Sequence, residues 1–358
     1  MAQRIDAWLL LAIAGIIGAS LATLHAVVPV LGWQPMLRQL VWGAAGMVLV
    51  WVLAHIRPSR YATHAPMFYV LCLVALIAVL FVGDIRGGTR AWFALGPITI
   101  QPSEFARLGT ILLLAAWLGR RRTNTLGPRD ALIVLAIVGT ATLLVALEPD
   151  LGVAITYLPI AVAALWLGGL PTRVWMVLVL LAVMAAGVVW STGLKPYQRE
   201  RVLTLLNPER DPFGYGYQLQ QSKIAVGSGG WVGQGLGRGS QSLLRFLPAQ
   251  HTDFVFAVWA EATGFLGATV LLLSYAQLLF RIAVTAFAAE TRYVLVVSVL
   301  VGAWLGFQVI FNVGMVVGWL PTAGITLPLF SYGGSSLLTT CIALSFVHSV
   351  WYHRLVYQ

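Results

Sequence analysis

Leu247-Pro248-Ala249-Gln250-His251-Thr252-Asp253-Phe254-Val255-Phe256 places one carboxylate, Asp253, where a long polar segment meets an apolar run of membrane length. An ionisable group at that border is costly to desolvate and marks a functional site by default. The apolar run continues to about residue 280, and about 20 such residues cross a bilayer as a helix. The same pattern recurs along the chain. Apolar runs at approximately 7–30, 38–55, 66–83, 103–118, 131–147, 152–169, 172–191, 252–280, 293–317 and 334–351 predict an all-α polytopic membrane protein. It has about ten transmembrane helices, and residues 1–358 form one integral membrane domain.

Composition excludes a set of soluble domains. Of 358 residues, 59% are hydrophobic and only 9% are charged, against about 25% charged in soluble domains. The run Ala7–Leu31 is too long for a signal-peptide core and lacks a small-residue cleavage site, so it reads as the first span. Cys72 and Cys341 sit singly in apolar runs and suggest neither a disulfide framework nor a metal site. The net charge of +10 does not imply a nucleic-acid partner. It follows from the positive-inside rule and from contact with anionic membrane lipid.

Connections of one parity carry Arg4, Arg57, Arg60, Arg120, Arg121, Arg122, Arg129, Arg173, Arg281, Arg292 and Arg354. Short connections of the other parity carry only Arg38, Arg86, Arg90 and, just inside a helix, Arg107. This bias puts both termini in the cytoplasm. Residues 192–250, between spans seven and eight, then form a large extracytoplasmic loop. Its basic residues do not overturn the orientation, because long loops translocate largely regardless of charge. Tyr215–Val226 mixes aromatic and aliphatic residues in a way a disordered linker avoids. A short amphipathic helix is expected near 217–226, on the outer membrane face.

Three further stretches lie on the Asp253 side. Gly87-Gly88-Thr89-Arg90-Ala91-Trp92-Phe93 precedes Gln101-Pro102-Ser103-Glu104-Phe105-Ala106-Arg107. Glu104 falls in a first helical turn, where the macrodipole favours an anion, and Glu104 and Arg107 are spaced i,i+3 so that they can meet. They read either as a structural pair or as a pair lining a polar cavity. Glu148-Pro149-Asp150-Leu151-Gly152 is an acidic turn, either solvated or a source of oxygen ligands for a hard cation. The third runs from Asn312 through Gly318, Pro321, Gly324 and Pro328 to Ser331-Tyr332-Gly333-Gly334-Ser335-Ser336. Broken backbone at membrane depth is tolerated only where protein buries it or it lines a wet cavity. Taken alone, it reads as a tight re-entrant turn.

The six histidines show no metal-ligand spacing, and His251, two residues before Asp253, would not share a helix face with it. No Walker loop, Rossmann fingerprint or GxSxG elbow occurs. A transporter should show repeat symmetry and ionisable residues near the midplane. No convincing repeat is visible and the acids lie near one face, which leaves a lipid flippase or transporter as the alternative to an enzyme. A pure scaffold does not account for Asp253, Glu104 and several arginines on one side.

Together these stretches resemble the SEDS family of bacterial cell-wall glycosyltransferases over nearly the whole chain. Asn312–Ser336, Gln101-Pro102-Ser103-Glu104 and Leu247-Pro248 to Phe254 match its motifs in order. Gln220–Gly230 and Gly239-Ser240-Gln241-Ser242 look most like the elongation branch, of the RodA type, rather than the division branch, of the FtsW type. The chain departs from the pattern at Ala249, where the family usually has Glu, and at Arg107, where it commonly has Lys.

The resemblance implies a peptidoglycan glycosyltransferase of the bacterial inner membrane, with its active site outside. It would polymerise lipid II into β-1,4 glycan during cell elongation. By position Asp253 is the catalytic Asp, a general base for the acceptor hydroxyl. Its carboxylate is expected at a helix start, with partial burial raising its pKa. Arg38 matches an arginine important in the family, and Lys195, Arg199 and Arg201 are substrate candidates by charge and side. Trp92, Glu104, Arg107 and Ser331 complete the expected substrate contacts. A divalent cation, Mg or Mn, is implied without identifiable ligands, and no organic cofactor. The implied partners are a class B penicillin-binding protein, the transpeptidase whose serine motif this chain lacks, and other elongation-complex membrane proteins. Contact is expected through spans eight and nine and the outer loop.

Overall fold

In a computed structural model of the chain, residues 5–86, 88–96, 98–121, 125–247 and 249–353 are described. Arg4, Gly87, Arg122, Pro248 and Arg354, which figure in the sequence reading, lie outside them. The helices are α1 (Ala7–Ala26), α2 (Val28–Leu31), α3 (Gln34–Ala54) and α4 (Pro58–Val82), then α5 (Pro102–Gly119), α6 (Pro128–Leu147), α7 (Leu151–Ile155) and α8 (Leu158–Leu167). After these come α9 (Thr172–Val188), α10 (Pro196–Leu206), α11 (Tyr215–Ser228), α12 (Ser240–Leu243), α13 (Val255–Phe287), α14 (Arg292–Val316) and α15 (Gly334–His353). Among the described residues, eight helices are long and apolar enough to cross a membrane. α5, whose first turns carry Glu104 and Arg107, and the shorter α7–α8 pair lie at the other two predicted spans.

Proline in the first turn starts many of these helices, as at Pro58, Pro102, Pro128 and Pro196. Its locked φ suits that position, and its missing N–H has no intrahelical partner to lose. Asp6 caps α1 through the Leu9 amide at 3.1 Å and pairs with Arg281 of α13 at 2.9 Å. That pair ties α1 to α13 at the end away from Asp253. Small residues let the spans approach where lipid offers no hydrophobic drive. A Cβ on Gly46 of α3 would meet Cys341 Sγ of α15 at 2.6 Å. By contrast, α9 has no buried residue; Val174, Trp175 and Leu178 pack partly against the core and its other faces are exposed.

The connection after α4 is a three-stranded antiparallel meander: β1 (Asp84–Arg86), β2 (Thr89–Leu95) and β3 (Ile98–Ile100). It adds a small sheet to the helical fold. Gly88 and Gly96, with φ of 84° and 63°, make its turns. Ser335 Oγ receives the Gln101 amide at 3.2 Å and donates to Thr99 O at 3.0 Å, which fastens the sheet to α15.

Two further departures have clear causes. The eighth span begins at Val255 rather than 252, because residues 251–254 form a turn and the carbonyls of His251, Thr252 and Asp253 are engaged outside the helix. The same span breaks at Gly264 (φ 67°, ψ −165°). The glycine-rich run pairs with the break: Phe265 N donates to Gly230 O, Leu266 N to Trp231 O, Gln234 N to Glu261 O and Gly235 N to Ala262 O, at 2.8–3.1 Å. Backbone groups freed at a kink need partners at membrane depth, and the loop supplies them. The helix expected near 217–226 is α11. It packs against α13, burying Leu219, Ser222 and Ala225, and Ser222 donates to Val316 O at 2.8 Å.

Candidate active site

A cavity of about 920 Å³ opens on the face that carries the meander, α10 and the Asp253 turn. It is built from the short connections between spans, so its charged groups come from distant parts of the sequence. Arg38 stands in the first turns of α3, Trp92 on β2, Glu104 and Arg107 on α5, Arg201 on α10 and Asp253 before α13, and all line it.

Deep in the cavity Arg107 Nη1 meets Glu104 Oε2 at 3.0 Å, with both side chains almost fully buried. Thr339 of α15 donates to the same oxygen at 3.3 Å. The guanidinium lies over Trp304 at 4.9 Å and Tyr157 at 5.8 Å, and Tyr157 OH donates to Ser103 O at 3.0 Å. Planar stacking of this kind suits the guanidinium of Arg and not the point charge of Lys. The i,i+3 pair is thus both structural and cavity-lining.

At the mouth Asp253 is half-buried. Its helix is capped at Phe254 without a side-chain hydrogen bond, so Asp253 stands just outside the helix rather than acting as its cap. Burial pushes its pKa up to about 6; Arg201 and a Thr252 hydrogen bond pull it down, and Asp150 raises it. Among the described residues neither Asp253 nor Arg201 forms an ion pair. Arg201 is held against the rings of Tyr215 (4.7 Å) and Tyr197 (5.8 Å).

Asp150 also lines the cavity. Its Oδ1 caps α7 through Val153 N at 3.0 Å and its Oδ2 accepts from Gln101 Nε2 at 3.1 Å; burial raises its pKa. Glu148 beside it is fully buried, and neither oxygen has a partner among the described residues. Burial and then Asp150 push it up to about 9. This is not a solvated turn. Among the described residues no group of three or more His, Cys, Asp or Glu could hold a metal ion. Asp150, on the cavity wall, is a single carboxylate oxygen source. One carboxylate suits an Mg²⁺-like ion that takes most of its ligands from substrate phosphates and water, not a protein cage.

Lys195, Arg199 and Ser331 do not line the cavity. Lys195 is exposed at the start of α10, where its backbone N–H donates to Gln198 Oε1 at 2.9 Å. Arg199 points back to Ser191 O at 2.6 Å. The Ser331 hydroxyl is spent on backbone, donating to Thr252 O at 2.7 Å and accepting from Leu327 N at 2.8 Å.

Other residues line the wall as well. His251 lines the cavity beside Asp253: an i,i+2 spacing separates two side chains on a helix, but residues 251–254 form a turn. Burial lowers its pKa, and its ring lies 5.6 Å from that of Tyr332. Gln308 and Thr322 also line it, with Gln308 Oε1 and Thr322 Oγ1 unpartnered among the described residues. Gln308 and Asn312, spaced i,i+4 in an apolar span, were the available signal.

The FtsW/RodA/SpoVE cell cycle protein family matches residues 3–355. The peptidoglycan glycosyltransferase MrdB of Escherichia coli K12 is 40% identical over 313 residues, covering 87% of this chain and 84% of that protein. A solved chain described under structural coordination of polymerization and crosslinking by a peptidoglycan synthase complex superposes with a TM-score of 0.85 at 36% identity, covering 98% of each chain. The crystal structure of Thermus thermophilus rod shape determining protein RodA gives 0.74 at 30%, covering 99% of this chain and 98% of that one.

Proposed function

The chain belongs to the FtsW/RodA/SpoVE family of cell cycle proteins, and on that premise we propose that it is a peptidoglycan glycosyltransferase that polymerises lipid II into β-1,4 glycan strands for cell elongation. The carrying observation is Asp253: a carboxylate at the mouth of a large cavity, unpaired among the described residues, with a pKa raised to about 6. A general base works best with a pKa near the working pH.

Asp253 accepts the proton of the acceptor 4-hydroxyl as that oxygen bonds to the donor's anomeric carbon. The bond from that carbon to the pyrophosphate oxygen breaks, and the lipid pyrophosphate leaves with the electron pair. Direct displacement inverts an α-linked donor to a β link. Arg201 and Arg38, on the cavity wall, provide donors for the departing phosphates. A divalent cation bound there would neutralise developing phosphate charge, with Asp150 as its available protein carboxylate and Asp253 left free as the base. Glu104 and Arg107 hold the floor, and Trp92 offers an aromatic face on the meander wall.

Orientation follows the positive-inside bias, which puts this mouth outside the bacterial inner membrane. The 40% identity to MrdB and the likeness to a rod shape determining protein support an elongation role. A class B penicillin-binding protein is the expected partner, and the neighbour from a peptidoglycan synthase complex supports it. The exposed apolar face of α13, with Phe265, Leu266, Val270 and Leu273, is where we place the contact, together with α14 and the outer loop.

Purified protein in liposomes with lipid II tests the reading: glycan product supports it, and lipid translocation without glycan sinks it in favour of a flippase. Co-purification tests the partner.

A further inference from the structure

Three consecutive carbonyls of the Asp253 turn each receive a donor from the far end of the chain. His251 O accepts from Tyr332 N at 2.9 Å, Thr252 O from Ser331 Oγ at 2.7 Å and Asp253 O from Asn312 Nδ2 at 3.0 Å. The second Nδ2 proton of Asn312 goes to Ile325 O at 2.8 Å, and Ser331 Oγ also takes Leu327 N. Two side chains thus bolt the turn to both arms of the broken segment between α14 and α15.

The chemistry of the two side chains is specific to that task. Asn312 is fully buried, and its Oδ1 has no partner among the described residues. A buried acceptor left unpaired is unfavourable, so the amide at this position is explained by its two donated protons. Ser331 is 4% exposed; its one proton is donated and its oxygen accepts one hydrogen bond. Neither residue lines the cavity. The same segment passes the reacting group: a Cβ on Gly324 would lie 3.6 Å from Asp253 Oδ2. Diverting the turn's carbonyls to these donors keeps Asp253 out of α13.

We infer that Asn312 and Ser331 are positioning residues for Asp253, setting how far its carboxylate reaches into the cavity. The inference rests on the reading of Asp253 as the base. Displacing a reacting group by about 1 Å can lower a rate about 100-fold, and a site's precision depends on the residues that support it.

The test is steady-state polymerisation of lipid II by purified Asn312→Leu, Ser331→Ala and Ser331→Thr protein, recording kcat, KM and the pH dependence of kcat. Asn312→Leu and Ser331→Ala should lower kcat about 10- to 100-fold with little change in KM for lipid II. Ser331→Thr keeps the hydroxyl and should recover most of the rate. A loosened turn lets water reach the carboxylate, which still faces Arg201, Asp150 and His251. The acid limb of kcat should therefore move to lower pH in the slow variants. A merely structural role lowers the amount of active enzyme and leaves the limb in place.

A raised KM at full kcat would instead make these residues substrate contacts and overturn the inference. So would full activity, an unmoved acid limb, or loss of folding in both slow variants while Ser331→Thr folds but is no better. An active Asp253→Asn enzyme sinks the base reading itself. An inactive Asp253→Asn enzyme beside fully active Asn312→Leu and Ser331→Ala enzymes sinks only the positioning.

Discussion

The floor and the mouth of one cavity treat charge in opposite ways. At the floor, Glu104 and Arg107 meet at 3.0 Å, buried together beside Thr339 and two aromatic faces, with Arg107 Nε left without a partner among the described residues. At the mouth, Asp253 and Arg201 line the same space with no ion pair among the described residues, although Arg201 lowers the pKa of Asp253 through its charge. A buried pair neutralises itself and leaves little for a ligand. A desolvated charge without a close partner is unfavourable in the resting protein and useful when a substrate supplies what is missing. On the function proposed above, this comparison assigns the chemistry to the mouth and the holding of shape and field to the floor.

Asp253→Asn tests the mouth hardest. Losing a general base lowers rates about 10²–10⁴-fold, and the substitution removes no volume and no cap. Glycan synthesis should nearly vanish while folded yield and partner co-purification persist. Robust synthesis by the variant would move the chemistry away from Asp253. The wild-type rate should also rise with pH through about 6, because the base must be unprotonated.

The floor should fail differently. Removing one member of a buried pair leaves an uncompensated charge and costs about 3–5 kcal/mol. Glu104→Ala and Arg107→Ala should therefore lower thermal stability and activity together. A Glu104→Met/Arg107→Met double variant should regain stability beyond either single one, since apolar residues can replace a buried pair. Inactive but fully stable single variants would put the pair in the chemistry and erase the contrast.

Arginines on and off the wall sharpen it further. Arg201→Ala should raise KM for lipid II about tenfold, as expected for a lost charge-assisted contact. Lys195→Ala and Arg199→Ala, which lie off the cavity wall, should change KM less than about twofold. Equal effects from all three would mean that general positive charge matters and not the wall.

How far the sequence carried depends on how local each determinant is. Ten apolar runs of span length are local, and so is a carboxylate beside one of them, so the spans, Asp253 and the Glu104–Arg107 spacing were legible. The meander at 84–100 was also local: Gly88 and Gly96 bracket the Thr89–Leu95 strand, but its short strands carried no helical period. Lys195, Arg199 and Arg201 could not be told apart by charge, because only the roll of α10 and the rings of Tyr197 and Tyr215 turn Arg201 inward. Ser331 was recognised as special, but its hydroxyl is bonded to backbone and does not line the cavity. Its partner, Thr252 O, lies 79 residues away, and no spacing rule reaches that far.

Glu148 gives the smallest effect and the finest test of the boundary between mouth and floor. It follows the last residue of α6, where the helix dipole disfavours an anion, and burial and Asp150 push its pKa from 4.5 up to about 9. The folded protein therefore holds a proton between those values that the unfolded chain releases. Stability should fall as pH rises from about 4.5 to about 9 on account of this residue. Glutamine is neutral, nearly the same shape and does not titrate there. Glu148→Gln should keep activity within about twofold and be more heat-stable than wild type at pH 7–8, by about 3–5 kcal/mol. The gain should disappear toward pH 4.5. Asp253→Asn should show the same sign over the narrower window from 3.8 to about 6. A folded Glu148→Gln enzyme slowed more than tenfold would show that the carboxylic acid takes part in the reaction, and the mouth would then extend to Glu148.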